Sequence, residues 1–220
     1  NLGSGTPPAP RVLATGDVAA NEGWLVQVTG IATWSNTPPV PGASDFTITG
    51  VNDGSGAVQV FVDKDTRIDM RGYTSGTPMT FIGFVSNYNG TRQIMPRYQS
   101  DVWEMLPPQV TATYPVTDAT DVSPYFPITA TFSKALDAAT VTAATFTLED
   151  ALGPVAGAVS YDAGTRTATF DPAAALAPQT RYTATLTTGV QDTHGIPMAA
   201  DYVWSFTTGD ADTTPPTITG

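Results

Sequence analysis

Residues 176–209 read LAPQTRYTATLTTGVQDTHGIPMAADYVWSFTTG and contain two stretches in which apolar and polar residues alternate. Every second residue from Tyr182 to Leu186 falls on one face of the first stretch. Trp204 and Phe206 share one face of the second. A period of two residues is typical of a β-strand that is buried on one side. We therefore predict that this part of the chain is built from β-strands.

The same alternation recurs throughout the second half of the chain, between residues 107 and 209. Each stretch places apolar residues on one face and many threonines on the other. Together the stretches predict about seven short antiparallel strands, the number expected of an immunoglobulin-like β-sandwich. The predicted strands cover residues 110–114, 128–132, 146–148, 154–161, 168–170, 182–186 and 204–206.

Four motifs between residues 108 and 209 give this half of the chain a family resemblance. With these motifs it resembles the bacterial Ig-like domains that occur in tandem in surface-layer and secreted proteins. The resemblance implies a sandwich fold and a surface location. The family has no catalytic residues that could be assigned to positions of this chain. The motifs are FSKALD at 132–137, LAPQTRY at 176–182, DTHG at 192–195 and WSFTTG at 204–209.

Tyr182 is predicted to close a corner of this sandwich. It ends the run Leu176-x-Pro178-x-Thr180-x-Tyr182, just as the next strand begins. In a tyrosine corner the hydroxyl group bonds to a backbone group a few residues upstream. We expect the same hydrogen bond here.

The first half of the chain, residues 11–106, is predicted to form five strands. The segments NDGSG at 52–56 and NYNG at 87–90 are typical of tight hairpin turns. Gly30 lies in the middle of the long first strand and permits a bend. A five-stranded barrel with a bent first strand is the architecture of an OB-fold. The predicted strands cover residues 23–35, 45–51, 57–62, 79–86 and 92–98.

This half also has a family resemblance, which extends from Val12 to Met105. It resembles the small OB-fold domains appended to bacterial extracellular nucleases and phosphoesterases. Its motifs are mostly glycines and strands, so they indicate a fold rather than a ligand. They are Val28-x-Gly30-x-Ala32, Phe46-x-Ile48-x-Gly50, DGSGAV at 53–58, FIGFV at 81–85 and Tyr88-Asn89-Gly90. The whole chain is thus predicted to be all-β: an N-terminal OB-like five-stranded barrel followed by a seven-stranded Ig-like β-sandwich.

Composition marks the predicted boundaries of these domains. Residues 1–10, NLGSGTPPAP, have little to bury and are predicted to be a linker. The Leu106-Pro107-Pro108 segment separates an OB-like domain at 11–106 from the sandwich at 107–209. Residues 210–220 are predicted to be a tail that starts another module.

A short repeat supports this prediction for the tail. The segment PPQVTA at 107–112 recurs as PPTITG at 215–220, 108 residues later. Residues 215–220 are therefore predicted to form the first strand of a following module, or to pair with a neighbouring molecule. In the second case Thr217, Ile218 and Thr219 are the candidate strand-exchange residues.

Amino-acid counts exclude many kinds of active site. The 220 residues include no cysteine and one histidine. Disulfides, thiolate metal sites, cysteine nucleophiles and histidine-rich metal clusters are therefore ruled out. We predict that the chain is not an enzyme. No apolar run is long enough for a transmembrane helix, so no membrane span is predicted.

The net charge of −11 bears on the choice of partner. A field of this sign repels phosphate backbones and anionic lipids. OB-folds nevertheless bind single strands by stacking bases on aromatic rings, and this half of the chain has such rings. The candidate stacking residues are Trp34, Phe46, Phe61 and Tyr88. The alternative is that these rings pack in the core, and nucleic acid is predicted not to be a partner.

Acidic loops raise the question of calcium. Asp63, Asp65 and Asp69 fall in one loop, and carboxylates are hard oxygen ligands. The other candidates, near the predicted domain junctions, are Asp118, Asp121, Asp210 and Asp212. No EF-hand spacing is present, and exposed turn aspartates are the alternative interpretation. We predict no cofactor, with calcium as the one alternative.

These features predict a non-catalytic structural or adhesive module that is secreted or displayed on a bacterial cell surface. Its expected partners are other copies of itself or adjacent modules of the same protein. In a sharper form of this hypothesis, C-terminal β-strand addition polymerises the protein into a filament. The alternative is an accessory region that binds nucleic acid or glycan within a larger secreted nuclease or phosphoesterase.

Overall fold

The computed structural model describes residues 9–210, and the chain divides between Leu106 and Pro107 into two compact units. We call them the N-terminal unit and the C-terminal unit. Both are built from β-strands joined by turns, which confirms the predicted all-β class. Residues 1–8 of the predicted linker and 211–220 of the predicted tail lie outside the described part. The candidate strand-exchange residues Thr217, Ile218 and Thr219 are among them.

Helical structure among residues 9–210 is limited to short 3₁₀ segments. None is long and apolar enough to cross a membrane. The segments are Thr15–Ala20, Lys64–Thr66, Gln99–Asp101 and Ala138–Thr140.

Seven strands of the N-terminal unit belong to one sheet, which contains a closed circuit of hydrogen-bonded neighbours. The strands are β1 (Arg11–Val12), β2 (Leu25–Thr33), β3 (Phe46–Asn52), β4 (Ala57–Val62), β5 (Thr77–Tyr88), β6 (Thr91–Met95) and β7 (Val102–Glu104). In the circuit β2 pairs with β3, β3 with β4, β4 with β6, β6 with β5, and β5 with β2 again. The β4–β6 pair is parallel and the other four are antiparallel. The five predicted strands are β2 to β6, and the short outer strands β1 and β7 were not predicted.

Gly30 lies where β2 pairs with both of its neighbours. Its partner on β5 is Met79, and the next residue of β2, Ile31, pairs with Asn52 of β3. A Cβ atom at Gly30 would lie 2.6 Å from the Asn52 carbonyl carbon. Only glycine lets the β3 backbone come so close, so this residue permits the double pairing of β2.

A polar cluster attaches the Thr15–Ala20 segment to the β3–β4 turn. The Thr15 hydroxyl donates to Asp53 Oδ1 at 2.7 Å, and the Gly16 N–H donates to Ser55 Oγ at 2.9 Å. Donors from Ser55, and then from Thr15, hold the pKa of Asp53 well below its usual range. The contribution of Asp53 to stability is therefore present above its ordinary pKa of 3.8 and is lost as the pH falls below it.

The C-terminal unit contains two sheets. Its strands are β8 (Val110–Tyr114), β9 (Ala119–Val122), β10 (Ile128–Phe132), β11 (Phe146–Asp150), β12 (Gly153–Pro154), β13 (Gly157–Asp162), β14 (Thr167–Pro172), β15 (Arg181–Leu186) and β16 (Tyr202–Thr208). The first sheet has the order β13-β14-β10-β8, and the second β12-β11-β15-β16-β9. The predicted count of seven antiparallel strands is wrong in two respects: nine strands are present, and β9 is parallel to β16.

Aromatic side chains join the two sheets into one core. Phe146 of β11 lies with its ring centroid 5.8 Å from that of Phe170 on β14, in the opposite sheet. It lies equally close, at 5.8 Å, to Trp204 of β16. All three rings are almost completely buried. This core is the main source of stability of the sandwich, because buried aromatics remove the largest apolar areas from water.

The predicted hydrogen bond at Tyr182 is confirmed. The Ala177 N–H donates to Tyr182 Oη at 2.8 Å, and only 2% of the tyrosine is exposed. The ring stacks on Phe206, with the centroids 5.8 Å apart. Tyr182 thus ties the loop before β15 to the core.

Replacing Tyr182 with phenylalanine is expected to lower the free energy of unfolding by about 0.5–1.5 kcal/mol, because the Ala177 N–H loses the buried tyrosine hydroxyl as its acceptor. Urea unfolding of the full chain measures the loss. Hydrogen exchange of peptides from β15 shows whether the loss lies in the C-terminal unit. The matched control is Tyr125→Phe, since Tyr125 is 68% exposed. Equal stability of Y182F and Y125F would contradict this role of the hydroxyl.

Candidate functional site

The best candidate for a binding site is a groove of about 600 Å³ on the N-terminal unit. Its volume falls in the range of small-ligand sites. Strands β3, β4, β5 and β6 supply most of its wall, and we call it the β4–β6 groove. It is lined by Asp45, Thr47, Gln59, Phe61, Ser86, Asn87, Tyr88, Gln93 and Met95.

The alternation of β4 explains which side chains reach the groove. Val58, Val60 and Val62 are buried in the core of the unit, at 5%, 0% and 4% exposure. Successive side chains of a strand point to opposite faces, so Gln59 and Phe61 face outward. The valines thus position the two groove residues.

Two glutamines lie side by side on the floor of the groove. Gln59 of β4 is the register partner of Gln93 of β6. Gln93 is only 6% exposed. Within residues 9–210, neither side-chain amide has a hydrogen-bond partner in the protein. Neither amide is among the buried side-chain atoms that lack a partner in the described part of the chain, so both amides reach solvent through the groove.

The structure divides the four candidate stacking residues into two groups. Phe61 and Tyr88 both line the groove, and Tyr88 is 67% exposed. Phe46 is 6% exposed and belongs to the core, so its ring cannot stack on a ligand. Trp34 is half-buried and packs edge-on against Phe46, with the centroids 6.1 Å apart. Phe61 and Tyr88 are therefore available for binding, whereas Phe46 and Trp34 pack within the unit.

The groove carries no basic side chain among its lining residues. Its one carboxylate, Asp45, accepts a hydrogen bond from the Lys64 backbone N–H at 2.9 Å. Three of the five arginines elsewhere in the unit are paired with acids. The ion pairs are Arg71–Asp69 at 2.7 Å, Arg92–Glu22 at 2.7 Å and Arg97–Asp101 at 3.0 Å. The groove therefore lacks the positive charge that a phosphate backbone requires.

Carboxylates proposed as calcium ligands take part in local contacts. Asp63 Oδ1 accepts the Asp65 N–H at 2.8 Å. The Arg71 guanidinium bonds to Asp69 and lowers the pKa of that carboxyl to about 2. In the part of the chain that the structure describes, no group of three or more histidine, aspartate or glutamate side chains is placed to hold a metal. Asp212 lies outside that part, and calcium binding stays a prediction.

Asp192 organises the turn that contains the single histidine. Its Oδ1 atom accepts the N–H groups of His194 at 2.8 Å and Ile196 at 3.0 Å. Its Oδ2 atom lies 3.2 Å from Lys134 Nζ. Burial lowers the pKa of His194. These contacts hold a loop in place, and no serine or cysteine nucleophile takes part in them.

One protein-family model matches a segment that contains most of the C-terminal unit. Residues 104–208 match the family model Big_5, the bacterial Ig-like domain. This match confirms the Ig-like prediction for that part of the chain. A search of curated proteins found no match.

Solved structures with similar folds cover about half of the chain. They include the N-terminal part of the bacterial S-layer protein SbsC, with 21% identity over 47% of this chain and 24% of that chain, and a TM-score of 0.38. PcoC, a methionine-rich copper resistance protein from Escherichia coli, shows 19% identity over 47% of this chain and 99% of that chain, with a TM-score of 0.40. CopC from Methylosinus trichosporium OB3b shows 15% identity over 49% and 99%, also with a TM-score of 0.40.

Proposed function

We propose that this chain is a non-catalytic structural or adhesive segment of a secreted or surface-displayed bacterial protein. The observation that carries the proposal is the match of residues 104–208 to the bacterial Ig-like domain. The well-packed aromatic core of the C-terminal unit suits a load-bearing or spacing role, because such a core holds two sheets together without a ligand. Neighbouring modules and further copies of the chain are its proposed partners.

Labelling of intact cells of the source bacterium tests this proposal. An antibody raised against the full chain is expected to stain intact cells or to detect the protein in the medium. Brief protease treatment of intact cells should remove the surface signal while a cytoplasmic marker survives. Staining that appears only after permeabilisation would overturn the proposed location.

We also propose the OB-fold class for the N-terminal unit. The closed circuit of pairings, with its single parallel pair β4–β6, supports this assignment. The glycine that lets β2 pair with both β3 and β5 supports it as well. Backbone NMR of the full chain tests the circuit: amide contacts from β2 to both β3 and β5 are expected. If the contacts from β2 to β3 or those from β2 to β5 were not observed, the sheet would be open and the OB-fold assignment would be wrong.

Strand addition by Thr217, Ile218 and Thr219 remains a proposal that rests on the repeat in the sequence. In its favour, β8 and β13 are the outer strands of their sheet among the described residues and offer free edges. Deleting residues 214–220 is expected to abolish filaments in electron micrographs of the full chain. Filaments that persist after the deletion, or their absence with the tail intact, would refute this mechanism.

The β4–β6 groove favours a second function, that of an accessory ligand-binding region in a larger secreted protein. Two aromatic side chains, the half-buried Phe61 and the exposed Tyr88, line it together with the amides of Gln59 and Gln93, a mixture typical of ligand sites. Binding of any soluble polymer that is lost on Tyr88→Ala would support this role.

A further inference from the structure

We propose that a cluster of exposed aromatic rings on the C-terminal unit binds the segment that follows this unit in the chain, residues 211–216. We call the cluster the exit patch. Its rings are those of Tyr114, Tyr125 and Phe126, and the segment has the sequence ADTTPP. The inference rests on the structural role proposed above, because a docked segment fixes the direction in which the chain leaves the unit.

The rings of the exit patch lie close together and yet are exposed to solvent. Tyr125 is 68% exposed, Phe126 54% and Tyr114 46%. The rings of Tyr114 and Phe126 meet edge to face, with their centroids 6.0 Å apart. Single exposed apolar residues are ordinary on a protein surface, but a contiguous patch of them marks an interaction surface. A partner that covers these rings gains the free energy of removing their apolar area from water.

The loop that carries two of these rings is anchored to the sandwich. Pro124 is buried, and its carbonyl oxygen accepts the Leu176 N–H at 3.0 Å. Tyr125 and Phe126 come directly after this anchor. Because the backbone before them is fixed by burial and by a hydrogen bond, less conformational freedom is lost when a segment binds to the rings.

The described part of the chain ends in a groove beside the same loop. The groove has a volume of about 350 Å³ and is lined by residues 121–125 together with Gly209 and Asp210. The Gly209 N–H donates to the Val122 carbonyl oxygen at 2.9 Å, and the Gln179 side-chain amide donates to Asp210 Oδ1 at 2.5 Å. These bonds fix the point from which the chain continues. Connectivity therefore places the next residue at a groove whose wall includes the aromatic loop.

The sequence of residues 211–216 suits aromatic rings. When fully extended, these six residues reach at most about 20 Å from Asp210, which is far enough to cross the loop. Pro215 and Pro216 favour the polyproline II conformation, and rigid proline rings in this conformation dock on aromatic side chains at a low cost in entropy. The segment carries a single charge, on Asp212.

Connectivity and charge favour this segment over a second copy of the chain as the occupant. A tethered segment has a high effective concentration at the patch, whereas a second copy must be recruited from solution. Two copies also repel each other, since each has a net charge of −11.

NMR relaxation of the full chain, labelled with ¹⁵N, tests the docking. The amides of residues 212–214 should give order parameters that approach about 0.85, the value of a rigid backbone. Pro215 or Pro216 should show contacts with the rings of the patch. The double substitution Tyr125→Ala, Phe126→Ala should lower the order parameters below about 0.6, the range of a flexible backbone. Both rings are exposed, so the strands of the C-terminal unit should keep their chemical shifts.

Leu152→Ala is the matched control, because Leu152 is 97% exposed in the same unit and is not part of the exit patch. It should leave the order parameters of residues 212–214 unchanged. An equal loss of order in the control and in the double variant would overturn the docking, as would order parameters below about 0.6 in the unaltered chain.

Isotope-filtered spectra of mixed labelled and unlabelled chains separate the two occupants. The contacts of the proline pair with the rings should arise within one chain. Contacts that arise only between chains would show that a second copy covers the patch and would overturn the proposal. None of these results alters the proposed surface location, which the labelling of intact cells tests separately.

Discussion

Replacing Phe146 with alanine is expected to destabilise the C-terminal unit by about 3–5 kcal/mol, as measured for buried phenylalanines elsewhere. Phe146 is fully buried and contacts Phe170 across the sandwich and Trp204 within its own sheet. Truncation therefore removes contacts between the sheets and leaves a cavity among rigid rings. Since a domain is stable by only about 5–15 kcal/mol, the loss is a large share of the total.

Hydrogen exchange followed by mass spectrometry of the full chain measures this effect. Peptides from β10, β11 and β15 should lose protection by a factor that matches the destabilisation, while β2 to β5 serve as an internal reference. Phe126→Ala is the control, because Phe126 is 54% exposed. Similar protection in the two variants would show that the Phe146 ring does not hold the sheets together.

Alternation of apolar and polar residues predicted the strands that have one buried face. In β15, for example, Tyr182, Ala184 and Leu186 are all buried and the residues between them are partly exposed. The same rule fails for β9, where only Val122 of four residues is buried, and for β12, which has two residues. Such strands form because a longer neighbour offers free backbone groups, and local sequence does not record that neighbour.

Two of the four predicted stacking residues, Phe61 and Tyr88, line the groove. All four rings were predicted as candidate stacking residues, but Phe46 follows the same alternation as its buried neighbour Ile48 and lies in the core. Because Phe46 and Ile48 are two residues apart in one strand, they lie on the same face, and this spacing could have excluded Phe46 as a stacking residue. The pairing of Gln59 with Gln93 was not predictable, since it depends on the parallel contact of β4 with β6. Long-range strand order creates the site, and periodicity within one strand cannot reveal it.

Gly83 offers a test of that long-range order, because it lies where β5 packs against both β2 and β6. Its register partner on β2 is Val26. A Cβ atom at Gly83 would lie 2.5 Å from the Met95 carbonyl carbon and 2.7 Å from Ile94 Cγ2. The first neighbour is backbone and cannot rotate away, so Gly83→Ala must push β6 from β5.

Gly83→Ala is therefore expected to cost about 1–3 kcal/mol or more, the range seen when a tightly packed site is overfilled. Gly72→Ala is the matched control: a Cβ there meets nothing within 4 Å. Alanine at such an open site reduces the freedom of the unfolded chain and should leave stability equal or slightly raised. Thermal unfolding of the two variants should thus give shifts in melting temperature of opposite sign or very different size.

Because Met95 and Gln93 of β6 line the groove, the displacement in Gly83→Ala should also weaken the ligand binding proposed for the groove. Unchanged stability in Gly83→Ala would mean that β5 and β6 do not pack as closely as this register requires.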